Sequence, residues 1–285
     1  MDKVDLHTHT YYSDGKASPR ELLEQAQKIG LKAIAISDHE TAKGNKEGQK
    51  LAADYGVELV PAIELTCYWD GYTGHGFGPD IDVLGYFVDL ESDALKKLEA
   101  EQQKNIRERA EKACLDLQQQ GYNISIDSVL ETNPYFPGFM PMYYALEKEG
   151  VSGDLARSLL EASWHRSGPL KKSIFELIDA IHDAGGVAVL AHPSIILREN
   201  DASLLSERGL MALVQHGLDA IEVFHYRLDR QQRRHFGNLA RMFGLAVTGG
   251  SDEHGGVGNF ARFGSEDVTL DMLEQIRTIS QKYKP

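Results

Sequence analysis

The chain has only two cysteines, Cys67 and Cys114, in 285 residues, too few for a disulfide framework or a thiolate metal cluster. No window approaches the about 18 consecutive apolar residues that a membrane span requires. The opening Met-Asp-Lys-Val-Asp has no apolar stretch behind it of the kind that marks a signal peptide. Reduced thiols in a cytoplasmic protein are the expectation. Positive charge is scarce too: Lys plus Arg number 30 against 43 Asp plus Glu, a formal net charge of −13. Long nucleic acid is a poor partner for such a chain, because its affinity would come from neutralising phosphates. There is no G-x-G-x-x-G turn to support a dinucleotide-binding sheet, and no internal repeat or low-complexity tract. What is present, 42% hydrophobic and 26% charged residues, suits a globular fold and not a disordered one.

β-rich runs alternate with helical ones along the chain. Strands are predicted at 3–6, 33–36, 57–63, 82–87, 187–191, 220–224 and 245–248, most of them continuously apolar, as parallel strands buried on both faces are. Ser18-Pro19-Arg20-Glu21 supplies an N-cap, a first-position proline and a capping-box acid for a helix that stops at Gly30. Further helices are predicted at 45–55, 173–184, 203–216, 227–243 and 270–282. Between 92 and 169 the alternation breaks. A long helix carries Leu95, Leu98, Ile106, Ala110, Ala113 and Leu117 and ends at Gly121; a Pro- and aromatic-rich stretch from Asn133 to Pro141 and two short helices follow. The reading is an α/β protein, a parallel barrel of seven strands over 1–91 and 170–285, with a helical insert over 92–169 capping one mouth. An open doubly wound sheet is the rival.

Ligand-type residues fall after one strand candidate after another: His7 and His9, then Asp14; Asp38 and His39; Glu64; His192; Asp252 and His254. In a parallel barrel these strand ends share one mouth, where barrel enzymes place their sites. Side chains at i and i+2 of a strand point the same way, so both imidazoles of His7-Thr8-His9 can reach one ion, and Asp252 and His254 repeat the spacing. Each motif alone is mostly incidental, and Asp14-Gly15 alone is a turn signal; their recurrence favours a metal site. Imidazole and carboxylate ligands without thiolate suit Zn, Mn or Fe. His165, His182, His216 and His235 fall in helical segments and read as surface or packing residues. His75 lies in a Gly-rich loop, and His225 follows the sixth strand and reads as a site residue.

Asp5-Leu-His-Thr-His, Ser13-Asp-Gly, Ser37-Asp-His, Glu64, the run from Gly185 to Pro193 ending Ala-His-Pro, and Gly250-Ser-Asp-Glu-His-Gly occur in this order. Together they resemble the polymerase and histidinol phosphatase (PHP) family, and most closely its stand-alone phosphoesterases with a helical insert. The resemblance implies a distorted (β/α)7 barrel holding two or three divalent ions. By residue match, His7, His9, Glu64 and Asp252 would hold one ion, Glu64 and His192 a second, and Asp14, His39 and His254 a third. Two departures stand out. The family usually offers another His on the strand that here reads Asp82-Val-Leu-Gly-Tyr, so either Asp82 or His75 replaces it; Asp82 is preferred, since a strand position is better fixed than a loop. An oxygen ligand there would shift preference toward Mn or Fe. The family's Gly-Arg-Pro-His is Gly138-Phe-Met-Pro here, so substrate contacts are assigned to Arg107, His225 and Arg227, with Arg109 a further candidate.

The implied activity is a metal-dependent phosphoesterase acting on phosphate mono- or cyclic diesters of a small molecule, a nucleotide first. A hydroxide shared by two ions would attack phosphorus, Asp252 would hold the catalytic ion, and His225 would protonate the leaving group. The alternatives are an amidohydrolase-type hydrolase using the same ions, 5′-3′ trimming of short RNA, and a non-catalytic metal-binding module.

Overall fold

The computed structural model describes residues 2–69, 80–168, 171–194, 205–255 and 263–284. Among these, β1 (Val4–Thr8), β2 (Ala33–Ile36) and β3 (Glu58–Val60) form a three-stranded parallel sheet. A five-stranded sheet holds β4 (Ala62–Cys67), β5 (Ile81–Tyr86), β6 (Val187–Leu190), β7 (Ala220–Phe224) and β8 (Ala246–Gly249) in that order. Single bridges join Thr8 to Glu253 and His39 to Glu64, so the two sheets meet at both seams in a distorted barrel-like ring. The helices are α1 (Pro19–Ile29), α2 (Lys43–Gln49), α3 (Ala52–Tyr55), α4 (Asp93–Gln119), α5 (Ile126–Leu130), α6 (Phe139–Lys148), α7 (Gly153–Arg166), α8 (Ile174–Asp183), α9 (Glu207–His216), α10 (Arg230–Phe243) and α11 (Leu270–Ser280).

The expected α/β class holds, with two corrections to its strands. The apolar run 57–63 is two strands, because Pro61 has no N–H to give a ladder: β3 pairs with β2 and β4 pairs with β5. The sheet is also not all parallel, since β5 runs antiparallel to both β4 and β6. A buried apolar strand reads alike in either direction, so its sequence carried no sign of the reversal. The predicted helix 45–55 is likewise two short ones, α2 and α3. By contrast α1 begins and ends where its punctuation placed it. Ser18 Oγ accepts from the Glu21 backbone, Glu21 returns a bond to Ser18 N at 2.7 Å, and Gly30 closes the helix at φ 80°.

The reversal of β5 places the site. Its start lies beside the end of β6, where Ala191 N donates to Asp82 O at 3.1 Å. Asp82 thus joins the mouth formed by the C-terminal ends of the other strands.

Segment 92–168 is wholly helical apart from its connections, and α4, α6 and α7 enclose an apolar cluster of their own around Ala110, Leu117, Met142 and Leu160. Helix α5, before the proline-rich stretch, was not foreseen. The first turns of α4 belong to the main core through Leu95 and Leu98. Further along, Gln102 donates to Glu40 and to Thr66 O, and Gln103 donates to Glu40 O, tying the insert to the loop after β2 and to the end of β4.

Candidate metal centre

His7 is the fourth residue of β1 and His9 follows the strand; both are fully buried, with ring centroids 5.1 Å apart. Glu64 lies in β4, Asp82 in β5, His39 after β2, His192 after β6, and Asp252 and His254 after β8. Asp38 fixes the loop that presents Asp14 by accepting from Thr10 N (2.6 Å), Thr10 Oγ1 (2.7 Å) and Ser13 Oγ (2.7 Å). Asp5 accepts from Ser251 N (2.9 Å) and Gly264 N (2.8 Å), pinning the chain before Asp252 to β1. His192 and Asp252 sit at φ 22° and 52°, left-handed conformations that cost a side-chain-bearing residue about 1–3 kcal/mol. Strain of this size at two neighbouring site residues fits a local geometry imposed by function.

Three imidazoles have a tautomer set by their second nitrogen. His7 Nδ1 donates to Glu222 Oε1 at 3.1 Å, His9 Nδ1 to Ser13 Oγ at 3.5 Å, and His254 Nδ1 to Asp252 O at 2.8 Å. Each thereby points Nε2 inward, and in its neutral form would offer that nitrogen's lone pair to a cation, the arrangement that ion-ligating histidines use. Those nitrogens face carboxylates. His7 Nε2 is 3.1 Å from Glu64 and 3.4 Å from Asp252; His9 Nε2 is 3.2 Å from both; His254 Nε2 is 3.1 Å from Asp14. At the other oxygen of Glu64, His192 Nε2 lies 3.0 Å from Oε1 and 3.5 Å from Asp82, while His39 Nδ1 lies 3.4 Å from Oε2, the oxygen that His7 and His9 face.

Two donors each about 2.1 Å from one ion stand about 3.0 Å apart at an octahedral angle and about 3.4 Å apart at a tetrahedral one. The observed spacings match the edges of such polyhedra. His9 Nε2, Asp14 Oδ1 and Asp82 Oδ1 are buried and make no hydrogen bond, a costly state for polar atoms unless a cation takes them. The donor set therefore fits divalent ions.

The side chains sort into overlapping groups: His7, His9 and Asp252; His7, Glu64 and His192; His39, Glu64 and Asp82; and His9, Asp14, His39 and His254. Glu64 is shared between sets, as expected for a bridging carboxylate, and His9 belongs to the set with Asp14, His39 and His254 as well as to that with His7 and Asp252. Asp82 is drawn into the centre; His75 lies outside the described residues.

Charge coupling runs through the cluster. Burial opposes protonation of His7, but Glu64, Glu222 and Asp252 outweigh it and hold its pKa well above the ordinary imidazole value. Burial likewise opposes charging His254, which Asp14 and Asp252 nonetheless push up to about 9. For Glu64 burial is overcome by His7 and His39, and its pKa lies well below the carboxylate range. Asp82 moves the other way, raised by burial and by the charge of Glu64.

His225 is fully buried on the same face. Its Nδ1 accepts from Arg227 N at 3.3 Å, which leaves the hydrogen on Nε2, 3.4 Å from Asp252 Oδ2. The Arg227 side chain instead hydrogen-bonds Tyr226 Oη at 2.8 Å and stacks over its ring. Arg107 lies half exposed on α4, paired with Glu111 at 3.1 Å. It lines a cavity of about 280 Å³ with Lys104, Tyr135 and Phe136, and the Phe136 ring stacks on His39 at 5.7 Å. Arg109 is a packing residue, spent on Asp80 at 2.7 Å and on Trp164 O. His182 pairs with Asp219 (3.0 Å) and His216 with Asp179 (3.1 Å), His235 packs against Phe236, and His165 is exposed on α7.

Glu222 was missed. It is fully buried in β7 and holds both His7 Nδ1 (3.1 Å) and His192 N (2.8 Å). A lone acid inside the apolar run Ala-Ile-Glu-Val-Phe was the signal that could have found it, since a buried charge needs partners.

The sequence matches the PHP domain family over residues 5–222. It is 26% identical over 286 residues to a 5′-3′ exoribonuclease of Haemophilus influenzae, covering 99% of each chain. It is 28% identical over 268 residues to a phosphoribosyl 1,2-cyclic phosphate 1,2-diphosphodiesterase of Eggerthella lenta, covering 91% of this chain and 97% of that one. Among solved structures, a Bifidobacterium adolescentis protein assigned provisionally to the metal-dependent phosphoesterases superposes with a TM-score of 0.82 at 29% identity, over 97% of this chain and 96% of the other.

Proposed function

The chain belongs to the PHP domain family, and from that membership we propose that it is a metal-dependent phosphoesterase acting on phosphate esters of a ribose-containing small molecule, with a nucleotide or a phosphoribosyl cyclic phosphate as substrate. The observation that carries the reading is the convergence of imidazole nitrogens on Glu64, with His7, His9 and His192 Nε2 and His39 Nδ1 at 3.0–3.4 Å from its oxygens. His7, His9, Glu64 and Asp252 would hold one ion, Glu64, His192 and Asp82 a second, and Asp14, His39 and His254 a third; the oxygen-rich set favours Mn or Fe. Such ions neutralise phosphate charge and bring the pKa of water toward neutrality.

The remaining work falls to side chains. Glu222 orients His7 and His192. His225, buried with Nε2 3.4 Å from Asp252 Oδ2, would serve the leaving oxygen as imidazolium, a form in which Nδ1 also carries a proton and no longer accepts from Arg227 N. Residues 92–169 form a cap over the mouth, and the cavity beyond Phe136 receives the body of the substrate, with Lys104 and Arg107 at its rim. The two relatives act on different molecules, yet both substrates carry phosphate on ribose, which suits this layout. No described helix is long and apolar enough to cross a membrane, and two buried thiols outside any disulfide suit the cytoplasm.

The test is a screen of mono-, bis- and cyclic nucleotides against sugar phosphates, reading released phosphate from the monoesters and separating ring-opened or shortened products by chromatography for the diesters, with His192→Ala and Asp252→Asn alongside. Turnover should vanish in both variants; full activity in metal-loaded samples of both would refute the reading. Trimming of short RNA from its 5′ end is the second reading, favoured by the exoribonuclease match over 99% of both chains. A 5′-phosphorylated oligonucleotide in the same screen separates the two.

A further inference from the structure

Helix α10 reads Arg-Gln-Gln-Arg-Arg-His-Phe-Gly-Asn-Leu-Ala-Arg-Met-Phe. It carries four arginines and no acid in a chain with net charge −13. Arg230, Arg233 and Arg234 lie in its first turns, where the helix dipole disfavours cations; Asp229 stands four residues before Arg233, but no Asp or Glu lies three or four residues from Arg230 or Arg234. Helix stability does not account for them.

Positions 230, 233, 234, 237, 238 and 241 form one stripe at i, i+3, i+4, i+7, i+8 and i+11. The stripe lines one wall of an open cleft of about 570 Å³ between α10 and α11. At the middle of that wall stands Gly237, and a Cβ built there meets no atom within 4 Å, so the cleft is bare at its centre. Its floor is apolar: Phe224 of β7 and Val247 of β8, both half-buried, with Met272 of α11 beside them. Among the described residues, Arg230 and Arg234 have no ion pair, whereas Arg233 is held by Glu266 at 2.8 Å.

We propose that this cleft is a second ligand site, separate from the metal centre, that takes a small phosphorylated molecule with a flat apolar body. Arg230 and Arg234 supply forked donors for phosphate, and the half-buried Phe224–Val247 floor would cover the apolar part. A volume in the range of small-molecule pockets, and a concave shape on an acidic chain, favour a mononucleotide-sized ligand over a polynucleotide. The proposal does not rest on the phosphoesterase reading.

The experiment is equilibrium dialysis of adenosine 5′-phosphate, used as its non-hydrolysable 5′-methylenephosphonate, and separately of a 12-nucleotide RNA with phosphorothioate linkages, with the metal-loaded protein. The same measurements are made on Arg230→Ala/Arg234→Ala and on Gly237→Gln, whose Cβ has open space around it and whose side chain would project into the cleft. Hydrolysis of p-nitrophenyl phosphate is followed in parallel as the readout of the metal centre. The parent should bind an equivalent of adenosine 5′-phosphate at the cleft, whatever the metal centre binds. In both variants that equivalent should weaken at least tenfold while hydrolysis stays at the parent level. No binding to the parent, or unchanged binding in either variant, overturns the proposal. A loss seen with the RNA but not with adenosine 5′-phosphate overturns it too, in favour of a polynucleotide track. Because binding and hydrolysis are read separately, failure of the cleft and failure of the metal centre give different results.

Discussion

Glu222 spends one oxygen on His7 Nδ1 and the other on the backbone N–H of His192, so a single buried carboxylate orients ligands on both sides of Glu64. Glu222→Gln keeps the shape but can accept only one of those bonds. Metal affinity should fall about 10–100-fold, the usual cost of losing a group that orients a ligand, as read by metal titration. His225 offers a second single-residue test. If its Nε2 proton reaches the leaving oxygen, His225→Gln should lower kcat about 10²–10⁴-fold on an alkyl phosphate. The loss should be far smaller on p-nitrophenyl phosphate, whose leaving group needs no proton; equal losses on both would remove the general-acid role. At this scale much of the cluster was legible. His7, His9, Asp14, His39, Glu64, His192, Asp252 and His254 announced themselves because ligating residue types recur just after apolar runs. Glu222 did not, since a residue inside a strand pattern is read by default as packing.

Strands and helices set where those residues meet, and glycine marks two places where elements come close or stand apart. At Gly250, which follows β8, a Cβ would lie 2.4 Å from the backbone nitrogen of His7. Gly250→Ala must push β1 and the Asp252 loop apart, so a loss of about 1–3 kcal/mol is expected, together with reduced metal content in the purified protein. Gly237 is the opposite case. It costs its helix up to about 1 kcal/mol relative to alanine, and nothing in the fold occupies its space. Gly237→Ala should therefore raise stability by about 0.5–1 kcal/mol in a denaturant titration. Helix ends were readable because caps are local, as Ser18 and Gly30 show. Strand direction was not, because the hydrogen bonds that make β5 antiparallel come from β4 and β6, the latter about a hundred residues away in sequence.

Across the whole molecule the buried cluster concentrates acid. Asp14, Glu64, Asp82 and Asp252 face one another around the site, and bound cations would offset their repulsion. Chelation should accordingly abolish turnover and destabilise the fold. With metal at about 100 times its dissociation constant the linkage is about 2.7 kcal/mol. For a chain of this size that is a fall in Tm of about 5–10 °C, reversed on adding Mn or Fe and checked by a thermal scan with and without chelator. The net charge of −13 therefore does not argue against an anionic substrate, because ions in the mouth and arginines on α10 give local potentials of the other sign.

The sequence by itself determined the donor chemistry, the family, the alternation of strand and helix and the presence of a helical segment between β5 and α8, because residue type and local periodicity are written position by position. Tertiary structure decided the break at Pro61, the reversal of β5 that carries Asp82 to the mouth, the partnership of Glu222 with two histidines and the gap between α10 and α11. Each of these depends on which distant backbone or side chain stands opposite, and a one-dimensional pattern does not contain its partner.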